Sequence, residues 1–204
     1  MTLKLYGIVA SRASRPLWLL EEMGQAYELV PQDYRNRATR SPAFLAINPN
    51  GHIPVLDDDG TIVWESMAIN LYLVRKFGGD LAPANLAEEA EVLRWTFWVV
   101  TEFEKDALTV LFHKLVMPAD QRDPELARQA EKRLAVPLAV LERHLGSHPY
   151  VAGERFTVAD VNLASVIGWV RPSAALLEGA PAVAAWLKKC LARPAHQRLK
   201  AIGR

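Results

Sequence analysis

The chain has 204 residues, 50% of them apolar, enough to bury a sizeable core as one domain or as two small ones. Its 24 basic and 23 acidic side chains leave a net charge of +1, and no Lys/Arg run is longer than two, so the electrostatic footprint of a nucleic-acid binder is missing. The longest nearly apolar stretches, residues 107–112 and 161–170, fall short of the roughly 18 residues of a membrane span, and no signal peptide opens the chain. These features lead to the expectation of a cytoplasmic protein with neither nucleic-acid nor membrane partners.

The first 77 residues mix periods of two and 3.6, whereas the rest is helical almost throughout, which implies two domains. In TLKLY, Leu3 and Leu5 alternate with polar neighbours as in a strand. After the loop ASRASRPLW, Leu17, Leu20 and Met23 recur at helical spacing up to a C-terminal stop at Gly24. Ser11 and Ser14 both suit a cap for that helix. YELVPQD is a second strand, SPAFLAINPNG a short helix opened by Ser41 and Pro42, and IPVLDDDGTIVW a hairpin with an Asp-Gly turn. A helix from Ser66 to about Phe77 then closes on Gly78 and Gly79. The order β-α-β, irregular link, β-β-α predicts a small mixed sheet with helices on its faces, and thioredoxin-like topology is the natural candidate.

GGDLAPANLA, residues 78–87, is the linker, so the domains are expected at 1–79 and 86–204. Asn85 with Glu88 resembles a capping box that opens a long helix. Two apolar stripes follow, Val92–Trp95–Val99–Phe103 and Leu93–Phe97–Val100–Leu108–Leu111, wider than one core-facing side requires. Such a helix buries two sides, the second against a partner subunit, a ligand or its own domain. Another long helix opens at Asp123-Pro124-Glu125 and runs to Gly146, with Pro137 predicting a kink. TVADVNLASVIGWV is apolar nearly all round, as a central buried helix is. The single Cys190, in the helical pattern WLKKCLAR, fits a reducing compartment and an inert structural role.

There is no Gly-rich phosphate loop, Cys pair or His-Glu-x-x-His motif, and Ser11 lacks the G-x-S-x-G elbow of a serine hydrolase. His144 and His148 have metal-like spacing, but Gly146 between them implies a turn, and no metal is expected. Against this background LYGIVASRASRPLWLLEEMG, NPNGHIPVLDDDG, ESMAINLYL and VAGERFTVADV, in this order and across nearly the whole chain, resemble the cytosolic glutathione transferase superfamily. The likeness is to its serine-type, theta-like and bacterial members. It implies a thioredoxin-like α/β N-terminal domain, an all-α C-terminal helical bundle and glutathione as co-substrate.

The resemblance places Ser11 where serine-type members hold the hydroxyl that donates to the glutathione sulfur. A free thiol of pKa about 8.5 is only about 3% thiolate at pH 7, and lowering that pKa by about 2 units takes roughly 2.7 kcal/mol. One hydrogen bond to a charged group supplies about 1.5–3 kcal/mol, and a helix N-terminus adds several tenths. The absence of cysteine at 11 and 14 argues against glutaredoxin-like, omega- or beta-type thiol exchange. The resemblance further implies a cis Ile53–Pro54 bond, with Ile53 main-chain groups pairing the cysteinyl part of glutathione as a short added strand. It places His52 near the glycyl carboxylate, Ser66 and the first helical N–H groups on the γ-glutamyl carboxylate, and Glu65 by its ammonium. Thr157 and Asp160 match the family's C-terminal capping box, a folding signal.

The expected activity is conjugation of the glutathione thiolate to small hydrophobic electrophiles, a detoxifying transferase reaction in a homodimer. Ile8, Val9, Arg12, Phe103, Phe112, His113 and Trp169 are the candidates for the acceptor pocket. Isomerisation, dehalogenation and peroxide reduction would use the same thiolate. The Ser-Ser-Cys pattern of maleylacetoacetate isomerases is here Ala10-Ser11-Arg12, which lowers the weight of the first of these. A binding or scaffold protein without turnover is the alternative class, though such relatives often lose contacts that Ser11, Ile53-Pro54 and Glu65-Ser66 here retain.

Overall fold

The computed structural model describes residues 3–202. The chain divides into two compact units, one running up to Ala82 and taking in the segment from Ala192 onward, the other spanning Pro83–Leu191.

The first unit is built on a four-stranded sheet of order β2-β1-β3-β4. β1 (Leu3–Gly7) lies parallel to β2 (Tyr27–Pro31), with Leu5 opposite Leu29, and antiparallel to β3 (Val55–Asp58), with Leu5 opposite Leu56. A parallel pair needs a crossover, which α1 (Ser14–Met23) supplies before stopping at Gly24, whose φ of 61° and N–H bond to the Leu20 carbonyl close the helix. β3 turns into β4 (Thr61–Trp64) through Asp59 and Gly60, both at positive φ, the backbone that an Asp-Gly hairpin turn requires. The Asp57 carboxylate accepts the Gly60 N–H at 2.8 Å. α2 (Pro42–Ile47) is capped by Ser41, whose hydroxyl accepts the Phe44 N–H, and Phe44 meets Tyr6 of β1 edge-on. α3 (Ser66–Phe77) packs against α1, burying Ile69 and Leu73 with Leu17 and Leu20. At the far end of β3, Tyr72 and Lys76 of α3 both donate to Asp58, and these bonds hold its carboxyl below the usual carboxylate range.

The second unit is helical: α4 (Leu86–Trp98), α5 (Glu104–Leu111), α6 (Pro124–Leu145), α7 (Val158–Ile167), α8 (Ala174–Glu178) and α9 (Pro181–Leu191). Asn85 caps α4 by accepting the Glu88 N–H, but the expected reciprocal half of that capping box is absent. Glu88 instead accepts the Ala84 N–H and a bond from Arg155. The long helix expected through residue 112 is interrupted by a π turn at Val99–Phe103, and a second π turn, Phe112–Val116, follows α5. Of its two stripes, Val92, Trp95, Val99 and Phe103 are buried, whereas Leu93, Phe97 and Val100 are exposed, Phe97 by 63%. α6 runs unbroken through Pro137 and buries one stripe, Ala127, Ala130, Leu134, Leu138, Leu141 and Leu145.

α7 is central, as its apolar circumference implies, with every residue buried except Ser165. Thr157 and Asp160 form the capping box at its start. The Asp160 carboxylate accepts from Thr157 N at 2.9 Å, Val151 N at 3.1 Å and Trp186 Nε1 at 2.8 Å. Burial pushes its pKa up to about 6 against the pull of these donors.

The last helix, α10 (Pro194–Ile202), belongs with the first unit and not with the helical bundle in which the sequence places it. It packs on α1, with His196 edge-on to Trp18 at 4.6 Å. Arg193 makes a two-pronged bond to Glu22, and Arg198 pairs with Glu21. Among the described residues no helix is long and apolar enough to cross a membrane.

Replacing Asp160 by alanine leaves three buried N–H donors without their acceptor. The expected result is a loss of about 2–4 kcal/mol in denaturant unfolding, with the secondary structure retained.

Candidate functional site

Three segments of the first unit carry the residues singled out from the sequence. They are the loop between β1 and α1, the turn that enters β3, and the junction of β4 with α3. The first is shaped by Gly7. A Cβ there would stand 2.5 Å from the Ala13 Cβ and 3.9 Å from the Ile53 Cβ, so the start of α1 and the turn before Pro54 both lie against the end of β1. In the loop thus folded back, the half-buried Ser11 accepts the Ala13 N–H at 3.1 Å and donates its own proton to the Ile8 carbonyl at 2.7 Å.

Neither serine caps α1 from the N-cap position. That position is Ala13, without a side-chain bond, and Ser14 is the first helical residue, its hydroxyl donating to the Ser11 carbonyl at 2.9 Å. Ile8 and Val9 are half-buried and Arg12 is exposed.

The turn 48–54 is held from inside. Buried Asn48 donates to the His52 carbonyl at 2.8 Å and accepts the Asn50 N–H at 3.1 Å, and Arg40 donates to the Asn50 carbonyl at 3.1 Å. His52 projects its ring into solvent, Ile53 is half-buried, and the Ile53–Pro54 bond is cis. Gly51 has a φ of 61°, and a Cβ on it would meet the Thr39 carbonyl oxygen at 2.8 Å. Arg40 and Asn48 thus join the site, though the sequence alone does not mark them.

At the third segment Glu65 is exposed, with a φ of 73°. A left-handed non-glycine residue costs on the order of 1–3 kcal/mol, and such strain clusters at binding sites. Ser66 is the first residue of α3 and is not its cap. Its hydroxyl oxygen is buried and accepts Nη1 of Arg15 at 3.0 Å. Arg15 is 2% exposed, the largest charged side chain in this core, and it ties α1 to the start of α3. Its signal was present in the sequence as an arginine directly ahead of the apolar run 16–20 of α1.

The remaining candidates lie in the second unit. Phe103 is 1% exposed with its ring 6.2 Å from that of Trp98, so it is a core residue and presents no face to an acceptor. Phe112 is exposed at the second π turn, which also holds the more exposed Leu115 and Val116. His113 turns Nδ1 to the Asp123 N–H at 2.9 Å, a bond that fastens the entry to α6. Trp169 is half-buried in the 3₁₀ turn Gly168–Val170. His144 and His148 stack face to face at 4.3 Å, each with a ring nitrogen on a backbone carbonyl, so their nitrogens do not converge on a common point.

Gly51→Ala is expected to destabilise the fold by at least about 1 kcal/mol, read from the thermal or denaturant midpoint, because both its φ and its clash with the Thr39 carbonyl oppose a side chain.

Residues 1–75 match the family profile described as glutathione S-transferase, N-terminal domain, and residues 105–194 match that of the C-terminal domain. Glutathione S-transferase 3 of Zea mays is 37% identical over 205 residues, covering 96% of this chain and 92% of the maize protein. Among solved structures, glutathione S-transferase-I bound with lactoylglutathione superposes with a TM-score of 0.89 at 32% identity, over 98% of this chain and 99% of that one. Glutathione transferase F7 of Populus trichocarpa superposes with a TM-score of 0.90 at 31% identity, over 99% of each chain. Relatives from maize, rice and Arabidopsis are among the curated proteins it matches, so the likeness is to plant members and not specifically to the theta-like and bacterial ones expected from short motifs that several subgroups share.

Proposed function

Because the chain belongs to the glutathione S-transferase family, we propose that it adds the thiolate of glutathione to small hydrophobic electrophiles, with Ser11 as the catalytic hydroxyl of a serine-type member. The observation that carries this reading is the bonding of Ser11. Its oxygen is fixed by the Ala13 N–H, while its proton rests on the Ile8 carbonyl, a neutral acceptor. When a sulfur anion arrives, the O–H rotates from that carbonyl to the anion and the oxygen stays where Ala13 holds it. A charge-assisted bond is roughly twice as strong as a neutral one, so the exchange is favourable only when the sulfur is ionised. The hydroxyl therefore stabilises thiolate over thiol, and the thiol proton leaves to solvent. The sulfur then forms a bond to the electrophilic carbon as a leaving group such as chloride departs with its electron pair.

The tripeptide is held by the other two segments. Ile53 main-chain groups pair the cysteinyl unit, and His52 with Arg40 faces the glycyl carboxylate. Ser66 and the first N–H groups of α3 take the γ-glutamyl carboxylate, with Glu65 on the ammonium. Ile8, Val9, Arg12, Phe112, His113 and Trp169 remain the proposed acceptor contacts. The protein acts as a cytoplasmic homodimer, a reading supported by the exposed stripe Leu93, Phe97 and Val100 on one face of the helix from Leu86.

Ser11→Ala is expected to leave glutathione affinity nearly intact and to raise the pKa of the bound thiol by about one to two units. The rate near neutral pH falls about ten- to hundredfold, and part of it returns at higher pH as solvent removes the proton. Ser14→Ala moves the thiol less. A larger shift from Ser14→Ala, measured by the pH profile of turnover with an aromatic chloride, would reassign the hydroxyl. Sedimentation should give twice the 22.7 kDa chain mass for the wild type and the chain mass for Phe97→Glu.

A further inference from the structure

The buried guanidinium behind Ser66 has no part in the binding scheme above. We propose that Arg15 is a positioning residue for the γ-glutamyl carboxylate: it occupies the Ser66 oxygen so that the Ser66 hydroxyl proton is left for the substrate. The inference rests on the reading that Ser66 takes that carboxylate.

A guanidinium has five N–H donors and no acceptor, so in the 3.0 Å contact from Nη1 the Ser66 oxygen can only accept. The single hydroxyl hydrogen of Ser66 is thereby directed elsewhere. As the first residue of α3, Ser66 has no helical turn before it whose carbonyl could take that proton, so the proton is left for a ligand.

The charge acts in the same direction. Arginine stays protonated at any physiological pH, and at 2% exposure its field is only weakly screened by water. It lies at the first turn of α3, whose unpaired N–H groups already carry partial positive charge. An anion seated on Ser66 and the first-turn N–H groups is attracted by the helix terminus and by the guanidinium together. The contact spans 51 residues of sequence, so α1, whose preceding loop carries Ser11, and α3 are set against each other by the same bond.

The test compares glutathione with 4-aminobutyryl-cysteinylglycine, which lacks only the γ-glutamyl carboxylate. Dissociation constants are measured by calorimetry for the wild type, Arg15→Lys, Arg15→Met and Ser66→Ala. If Arg15 positions Ser66, Arg15→Met weakens glutathione about ten- to hundredfold and leaves the analogue within about twofold, Arg15→Lys loses less, and Ser66→Ala combined with either change adds little more. A structural tie alone would weaken both ligands equally, and that result overturns the proposal. If Arg15→Met does not fold, the comparison of the two ligands on Arg15→Lys decides in the same way. Should Ser66→Ala retain the wild-type preference for glutathione over the analogue, the assignment of Ser66 itself is wrong. Should Ser66→Ala abolish that preference while the Arg15 variants keep it, only the role of Arg15 is refuted.

Discussion

No side chain can stand at position 7. The 2.5 Å that would separate a Gly7 Cβ from the Ala13 Cβ brings the first residues of α1 against the end of β1, and the loop between them has no course except to fold back on itself. In that loop the Ser11 oxygen meets the Ala13 N–H and its proton meets the Ile8 carbonyl. The same closeness admits Ile53 from the neighbouring strand entry, so the end of β1 is where the loop and the turn before β3 come together. The sheet order β2-β1-β3-β4 makes this possible, because β1 and β3 are adjacent although some 50 residues separate them in the chain.

Polar groups in both units follow one rule: where charge is buried, it is bonded on purpose. Asp160 in the helical unit gathers three donors and joins α7, α9 and the segment around Val151. Glu142 of α6 similarly accepts the Ala182 and Val183 N–H groups at the start of α9, where a carboxylate complements the helix dipole. Both are folding devices, Asp160 fully buried and Glu142 half-buried. Arg15 differs in that its partner, Ser66, opens a helix beside a strained Glu65, at the edge of the first unit's core.

The local elements were legible because their signals are local. The Asp59-Gly60 turn, the Ser41 cap, the stop at Gly24 and the apolar circumference of α7 each depend on residues within a few positions of one another. The interruptions at Val99–Phe103 and Phe112–Val116 were not legible, because a π turn inserts a residue without a proline or glycine to announce it. Phe103, at the end of the first of these turns, lies in the core with Val92, Trp95 and Val99. The return of α10 to the first unit depends on Arg193 and Arg198 finding Glu22 and Glu21 across about 170 residues, which no periodicity records. Within the site, the serines and the Ile-Pro pair stood out by family likeness. Arg15, Arg40 and Asn48 act through partners that only the fold supplies.

The central claim is that the Ser11 hydroxyl, held by Ala13, makes the bound sulfur an anion near neutral pH. A pH titration of the thiolate absorbance of glutathione bound to the wild-type protein tests it directly. With Ser11 acting in this way, the midpoint lies about 2 units below the roughly 8.5 of a free thiol. A bound thiol that titrates where the free one does would contradict it.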